Sequence, residues 1–271
     1  MAQLSYTAEL TAYSWTGSTY INYTARYDPV ANATTVTFET SEFSYYGRSG
    51  YGTSASATIT VTASDNSDSS GSATLSTYGS TNGGVKSFTG TPSPASITVQ
   101  HAAGGGAKGI NISASSTIKV YPTSWLGSQK TATGSGSASE TAGTAYVFHK
   151  SVSEGVAQAD VYDRTNTRSA KLAEGDLLCA GDVIQLYRAA ADGYELTAAH
   201  FGGGGIVDDG ATHTVTGETT VTVTAKKSAP KGYVKIDTGQ ALVNYCAMID
   251  TGTGYVRYRA YIDTGTKIVP Y

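Results

Sequence analysis

The chain has 271 residues, enough to bury a sizeable core in one to three domains without disulfide staples. Only 14% of them are charged, against roughly 25% in an average globular protein, and a net charge of -3 with 18 thinly spread basic residues excludes a patch able to neutralise a run of phosphates. Nucleic acid is therefore not an expected partner, and no stretch approaches the roughly 18 apolar residues that a membrane span needs.

Gly, Ser and Thr are abundant, and 20 tyrosines stand against 5 phenylalanines and 2 tryptophans. This mixture favours pleated, hydroxyl-covered strands, and the periodicity of long amphipathic helices is missing. In chain order the first segment offers Leu4 to Trp15, Tyr20 to Tyr27, Thr34 to Phe43, Ala55 to Ala63, Ala73 to Tyr78, Ile97 to His101 and Ile110 to Tyr121. Each alternates with period two, and Gly, Asn-Ala, Asp-Asn-Ser or Pro turns bound them. The expected fold is all-β, beginning with an immunoglobulin-like or jelly-roll β-sandwich over residues 1–130. TATGSGSASETAGT, residues 131–144, has no apolar group large enough to anchor it and reads as a flexible linker.

Residues 145–227 form the next module, with turns at Ala180-Gly181-Asp182, Asp192-Gly193 and Gly217-Glu218 and strands at Val183 to Tyr187, Tyr194 to Leu196 and the threonine-valine runs. SAPKG, residues 228–232, is a second joint, and residues 233–271 carry three units: IDTGQALVNYCAM, IDTGTGYVRYRAY and IDTGTKIVPY. They recur every 13 residues and align Val243, Val256 and Val269, as well as Tyr245, Tyr258 and Tyr271. Each unit reads as one strand and one turn, too little for a core of its own, so the units stack or dock on something else. A three-stranded meander on the preceding module and assembly between chains both satisfy that need. Asp237, Asp250 and Asp263 would lie side by side in a stack, as a cation ladder; alternatively each aspartate caps its own turn by accepting a backbone N–H.

No catalytic constellation is expected, and neither is a cofactor or metal. GGGAKG matches a dinucleotide-binding string, but the strand pattern INISASSTIKV follows it, so it reads as a hairpin loop between Val99 and Ile110. Asp65-Asn66-Ser67-Asp68 has its glycine one place late and no closing glutamate, and reads as a solvated turn rather than a calcium loop. His101, His149, His200 and His213 are not spaced as metal ligands, and His101 reads as a hydrogen-bonded or exposed side chain. No GxSxG elbow or pair of cleft carboxylates occurs. Cys179 and Cys246 are the only cysteines and read as buried thiols. The binding candidate is EFSYYGRSGYG: Tyr45, Tyr46, Arg48 and Tyr51 interleaved with small residues give rigid contact area on an adaptable backbone. The competing reading is a turn whose tyrosines cover the sandwich edge.

Three stretches carry resemblances. AGDVIQLYRAAADGYELTAAHF with THTVTGETTVTVTAKK resembles the small β-modules related to the internalin-B repeat, departing where His200-Phe201 and four glycines replace the tryptophan that usually follows Gly-Tyr-Glu. The IDTG units resemble the C-terminal ends of tail-associated proteins in phages of gut Firmicutes. Ser87-Phe88-Thr89-Gly90, Ile97 to His101, the glycine run and Ile110 to Ser113 resemble sandwich domains of minor structural proteins of long-tailed phages. The resemblance implies a non-catalytic, tail-associated virion part (fibre, baseplate or adhesion protein) made in the host cytoplasm and released by lysis. That expectation agrees with a start, MAQLSYTAEL, lacking a basic n-region and an apolar h-region. The implied partners are other virion proteins, a host cell-surface glycan or protein, and further copies of the chain, a trimer being one form. A capsid decoration or head-fibre protein is the alternative within the class, and a bacterial surface adhesin the alternative outside it.

Overall fold

The computed structural model describes residues 1–10, 15–47, 54–65, 70–79, 84–121, 128–166, 170–228, 234–237, 242–245, 248–250, 255–257, 261–263 and 268–270. The fold is all-β. The chain divides into two units: residues 1–149, 162–185 and 212–220 form the first, and residues 150–161, 186–211 and 221–271 the second.

In the first unit, strands β1 (Ala2–Leu10), β2 (Trp15–Asp28), β3 (Ala33–Phe38), β4 (Ser41–Gly47), β5 (Ser54–Ser64), β6 (Ser70–Gly79), β7 (Gly84–Gly90), β8 (Ser96–Gln100) and β9 (Gly106–Tyr121) follow one another, and β10 (Lys130–Val152) comes next. One sheet contains β1, β2, β3, β4, β7 and β8. Its register shows why the expected strand Thr34 to Phe43 is two strands. Tyr23 pairs with Phe38 and Asp28 with Ala33, whereas Tyr20 pairs with Glu42 and Thr16 with Tyr46, a slip of one residue along the same edge of β2. Glu39 and Thr40 take up the slip, and Asn22 bridges it: its side-chain amide donates to the Thr40 carbonyl (2.8 Å) and its backbone N–H to the Ser41 hydroxyl (3.3 Å). The slip has the character of a bulge, which keeps the inward set inward on both sides of the break. Asn22→Ala is expected to cost about 1 kcal/mol, as for a typical lost hydrogen bond, read as a shift in the urea midpoint without a change of slope.

The facing sheet runs β6-β5-β9-β10, all antiparallel. Leu4, Ile21, Tyr23, Val36 and Phe43 from one sheet meet Ile59, Val61, Ile110, Ile112 and Ile118 from the other in one core cluster. Two sheets covering a shared apolar layer make a β-sandwich.

The expected linker at 131–144 is instead the first part of β10, paired residue by residue with β9 from Lys130↔Val120 to Ala145↔Gly106, with one irregularity between Thr141 and Gly143. Its small residues serve contact rather than looseness. Along the strand, Ala132, Gly134, Gly136 and Ala138 are the less exposed row, while Thr131, Thr133, Ser135, Ser137 and Ser139 face solvent. A β-carbon on Gly134 would lie 2.5 Å from the Thr7 carbonyl and 2.7 Å from the Ala8 β-carbon, and one on Gly136 would lie 3.0 Å from Tyr6. The glycines let β10 come this close to β1.

The GGGAKG segment is also not a hairpin loop. β8 pairs with β3 in one sheet and β9 pairs with β5 and β10 in the other, so the glycines carry the chain from sheet to sheet. Strand β12 (Leu177–Cys179), which follows β11 (Val156–Asp163) in the chain, adds to the edge of β10 through Tyr146↔Leu178. Cys179 there is half-buried, and Cys246 lies outside the described residues.

In the second unit, β14 (Tyr194–Phe201) pairs with β16 (Thr219–Lys227) from Phe201↔Val221 to Tyr194↔Lys227. Strands β13 (Val183–Ala190) and β15 (Ala211–Thr214) precede them in the chain and each has residues in both units. The glycine-rich loop after Phe201 is pinned: Arg188 donates from Nε to the Val207 carbonyl (2.6 Å) and from its backbone N–H to the Asp209 carboxylate (2.7 Å).

The terminal units differ from one strand and one turn each. β17 (Val234–Asp237) pairs with β18 (Leu242–Tyr245), β19 (Met248–Asp250) with β20 (Tyr255–Arg257), and β21 (Tyr261–Asp263) with β22 (Ile268–Pro270). Every IDTG therefore joins two antiparallel strands. The register is the same each time, Ile236↔Val243, Ile249↔Val256 and Ile262↔Val269. A repeated β-branched cross-strand pair is the unit that holds such a ladder.

Candidate functional site

Of the four candidate contact residues in the tyrosine-rich segment, Tyr45 is the one whose side chain is described, and it is not at the surface. Period-two alternation on β4 turns Phe43 and Tyr45 into the core, with 1% and 2% exposure. Tyr45 stacks on Phe88, centroids 5.7 Å apart and rings 12° from parallel, and meets Phe43 at 6.0 Å. The expectation of Tyr45 as a contact residue is thereby corrected: its ring is core mass. Tyr46 sits in β4 opposite Thr16 and Val85. Its side chain, and all of Arg48 and Tyr51, lie outside the described residues. Asp237, Asp250 and Asp263 each end the first strand of a hairpin, and Tyr245 pairs with Val234. The side chains of these four residues, and the whole of Tyr258 and Tyr271, lie outside the described residues, so the cation ladder and the tyrosine rows stay expectations.

The structure gathers instead two motifs that the sequence kept apart. The inward rows of five strands run to the same end of the sandwich and finish in polar groups: Tyr27 on β2, Thr34 on β3, Asp65 just after β5, His101 just after β8, and Lys108 on β9. Lys108 is 5% exposed and Asp65 8%, so Asp65 is not part of a solvated turn. The His101 and Asp65 side chains approach at 3.7 Å (Nδ1 to Oδ2), and the other His101 ring nitrogen is 2.7 Å from the Thr34 hydroxyl. The hydrogen-bonded reading of His101 is the one the geometry carries. Tyr27 meets the imidazole edge-on at 5.7 Å, and Lys108 Nζ lies 5.9 Å from the Tyr27 ring centre.

Lys108 Nζ donates to the carbonyls of Ala102 (3.1 Å) and Gly104 (2.8 Å), so the glycine arch wraps its own lysine rather than a phosphate. Asn32 locks the arch to the β2–β3 turn: its side-chain amide donates to the carbonyls of His101 (2.9 Å) and Ala102 (3.0 Å), and its Oδ1 accepts from the Tyr27 hydroxyl (2.9 Å). Asn32 does this with φ of +48°, a conformation asparagine tolerates better than other side chains. Asn32→Ala is expected to cost about 2–3 kcal/mol, from three hydrogen bonds and the left-handed backbone together, with Asn32→Gly recovering the backbone share. Urea unfolding of both variants measures the division.

Burial holds the His101 pKa below the ordinary imidazole value, outweighing the opposing pull of Asp65, and Lys108 adds to the lowering. Burial likewise lowers Lys108 below the usual lysine value, with Asp65 opposing. Because the folded His101 gives up its proton more readily than the unfolded one, its contribution to stability is complete above pH ~6.5 and declines as the pH falls below that toward the depressed folded value. Melting curves between pH 8 and 5 are expected to show a slope that shrinks in His101→Gln; equal slopes in both proteins would contradict the assignment.

Sequence reading missed this cap because Asp65, His101 and Lys108 stand at the ends of three different strands, β5, β8 and β9. The one local signal was that each continues the apolar row of its strand by two residues. Chemically, the lysine's donors point at carbonyls and the imidazole is hydrogen-bonded to a threonine, an arrangement that closes the end of a core. Among the described residues no three His, Cys, Asp or Glu side chains gather as a metal site.

No family model matches the sequence, and no curated protein matches it. Among solved structures, the chain is similar to the major pilin protein T-13 of Streptococcus pyogenes serotype GAS131465, at 15% identity over 72% of this chain and 99% of that one, with a TM-score of 0.22. So low a score carries no argument about function.

Proposed function

We propose that this chain is a non-catalytic structural component of a bacteriophage virion, tail-associated as a fibre, baseplate or adhesion protein, that works through contacts with neighbouring virion proteins or a host surface. The observation that carries the reading is the pairing of a rigid two-sheet sandwich with three hairpins of identical register at the chain's end. A ladder of two short strands is marginal alone, so the hairpins call for a neighbour, either within the chain or in another copy. The resemblance of the IDTG units to the ends of phage tail proteins supplies the setting. Support also comes from the outward row of β10, Thr131 to Ser139, a charge-free stripe of hydroxyls suited to polar contact without chemistry.

The test is location. Gold-labelled antibody against the chain, applied to intact particles from a lysate, is expected to decorate the tail. Decoration of the capsid would select the head-fibre alternative, and labelling of bacterial cells without particles would select the surface adhesin. Release of product from host glycans incubated with the purified chain would overturn the non-catalytic part.

A further inference from the structure

The geometry points to an open groove on the outer face of the first sheet as a binding site for a carboxylate-bearing saccharide, such as a uronic-acid-containing oligosaccharide. The groove holds about 730 Å³, within the ~300–1,000 Å³ common for ligand sites. Its floor is a block of four outward side chains in two cross-strand pairs, Thr24 opposite Thr37 and Arg26 opposite Thr35. The walls are two turns, at Asp28 to Val30 and at Thr165 and Asn166.

Both walls are set before any ligand arrives. Asp28 Oδ1 accepts from the backbone N–H of Val30 (2.8 Å) and of Ala31 (3.4 Å). On the other side the buried Asp163 accepts from the N–H groups of Thr165 (3.0 Å) and Asn166 (3.1 Å) and from the Asn166 amide (2.9 Å). Thr165 in turn accepts from the Val183 N–H at 2.8 Å. Pre-set walls reduce the ordering cost of binding.

Arg26 is different: it is exposed and forms no hydrogen bond or ion pair with another described residue, although it lines the groove throughout. A planar guanidinium whose donors meet no acceptor among the described residues, ringed by hydroxyls, matches a carboxylate bidentately and adjacent sugar hydroxyls singly. Asp28 Oδ2, which no backbone group occupies among the described contacts, is placed to accept from a sugar diol, as is Asn166 Oδ1. Val30, 52% exposed, offers an apolar edge against which the C–H face of a pyranose can lie. A nucleotide or a bare phosphate fits less well, because the Asp28 carboxylate and the single cation work against a dianion.

The experiment uses the whole chain and a glucuronate-containing hexasaccharide, with a neutral glucose hexasaccharide beside it, by calorimetry or NMR titration at low and moderate salt. The acidic sugar is expected to bind at least ~10-fold more tightly than the neutral one and to weaken with salt. Arg26→Ala is expected to lose at least ~10-fold, and Arg26→Lys to recover only part, since it keeps charge without the fork. Equal binding of both sugars, no binding of either, or an Arg26→Ala variant with unchanged affinity and melting temperature would each overturn the assignment. Thr35→Val, a second surface change on the same floor, is expected to weaken binding several-fold with melting unchanged. Because particle imaging plays no part in this measurement, the saccharide site and the virion reading fail separately.

Discussion

Valine at position 134 is expected to destabilise the first unit by about 3 kcal/mol or more, at the upper end of overpacking costs. The magnitude follows from what the new side chain meets. Its β-carbon alone would stand 2.5 Å from the Thr7 carbonyl oxygen, 2.7 Å from the Ala8 β-carbon and 2.9 Å from the Ala8 α-carbon. Two of these three are backbone atoms of β1, which cannot step aside as the end of a flexible side chain can, so β1 and β10 must separate. That separation would also loosen Leu4 and Ala8, which belong to the core cluster. Ser135→Val, one residue further on the solvent-facing row, is the control, with an expected change within about 0.5 kcal/mol. Chemical unfolding of the two variants decides the matter. If both are neutral, residues 131–144 behave as a tether and the pairing with β9 is wrong.

Tyr45→Ala is expected to cost about 3–5 kcal/mol, the range for removing a large ring from a core. The side chain is 2% exposed and lies between Phe43 and Phe88, so deletion opens a cavity in an aromatic stack that links β4 to β7. Tyr45→Phe keeps the stack and should cost under about 1.5 kcal/mol. Were the ring a contact residue, the alanine variant would instead melt like the parent and bind partners less well. Differential scanning calorimetry of the two variants separates these outcomes.

The all-β class was legible because alternation, hydroxyl content and turn residues agree along most of the first segment. Strand positions such as Ser54–Ser64 and Ser96–Gln100 fall within a few residues of the runs Ala55 to Ala63 and Ile97 to His101. β10 was misread for a physical reason: its alternation is intact, but the inward members are glycine and alanine. A hydrophobicity pattern cannot register a side chain that is absent so that a neighbouring strand can fit. The break between β3 and β4 shows in the sequence only as a change of phase, the inward residues being even-numbered through Thr34, Val36 and Phe38 and odd-numbered through Ser41, Phe43 and Tyr45, and one continuous run from Thr34 to Phe43 passes over it.

The site was legible in part. Tyr45 and Tyr46 stood out by composition, yet alternation puts Tyr45 on the same face of its strand as Phe43, and the burial of that face takes Tyr45 away from a surface role. The groove around Arg26 could not be read at all. Its members are commonplace threonines, and only the pairing of β2 with β3 and the turn after β11 give them a common wall.

The three terminal hairpins have a genetic corollary. Each ladder is built from the two strands that flank one IDTG, with isoleucine opposite valine in every case. Because each ladder uses only the strands on either side of its own IDTG, gain or loss of one thirteen-residue period would leave the hydrogen bonds of the other ladders in place. The number of these hairpins can therefore change without rebuilding the ladders already present, and chains that carry the same units are expected to differ in how many they contain.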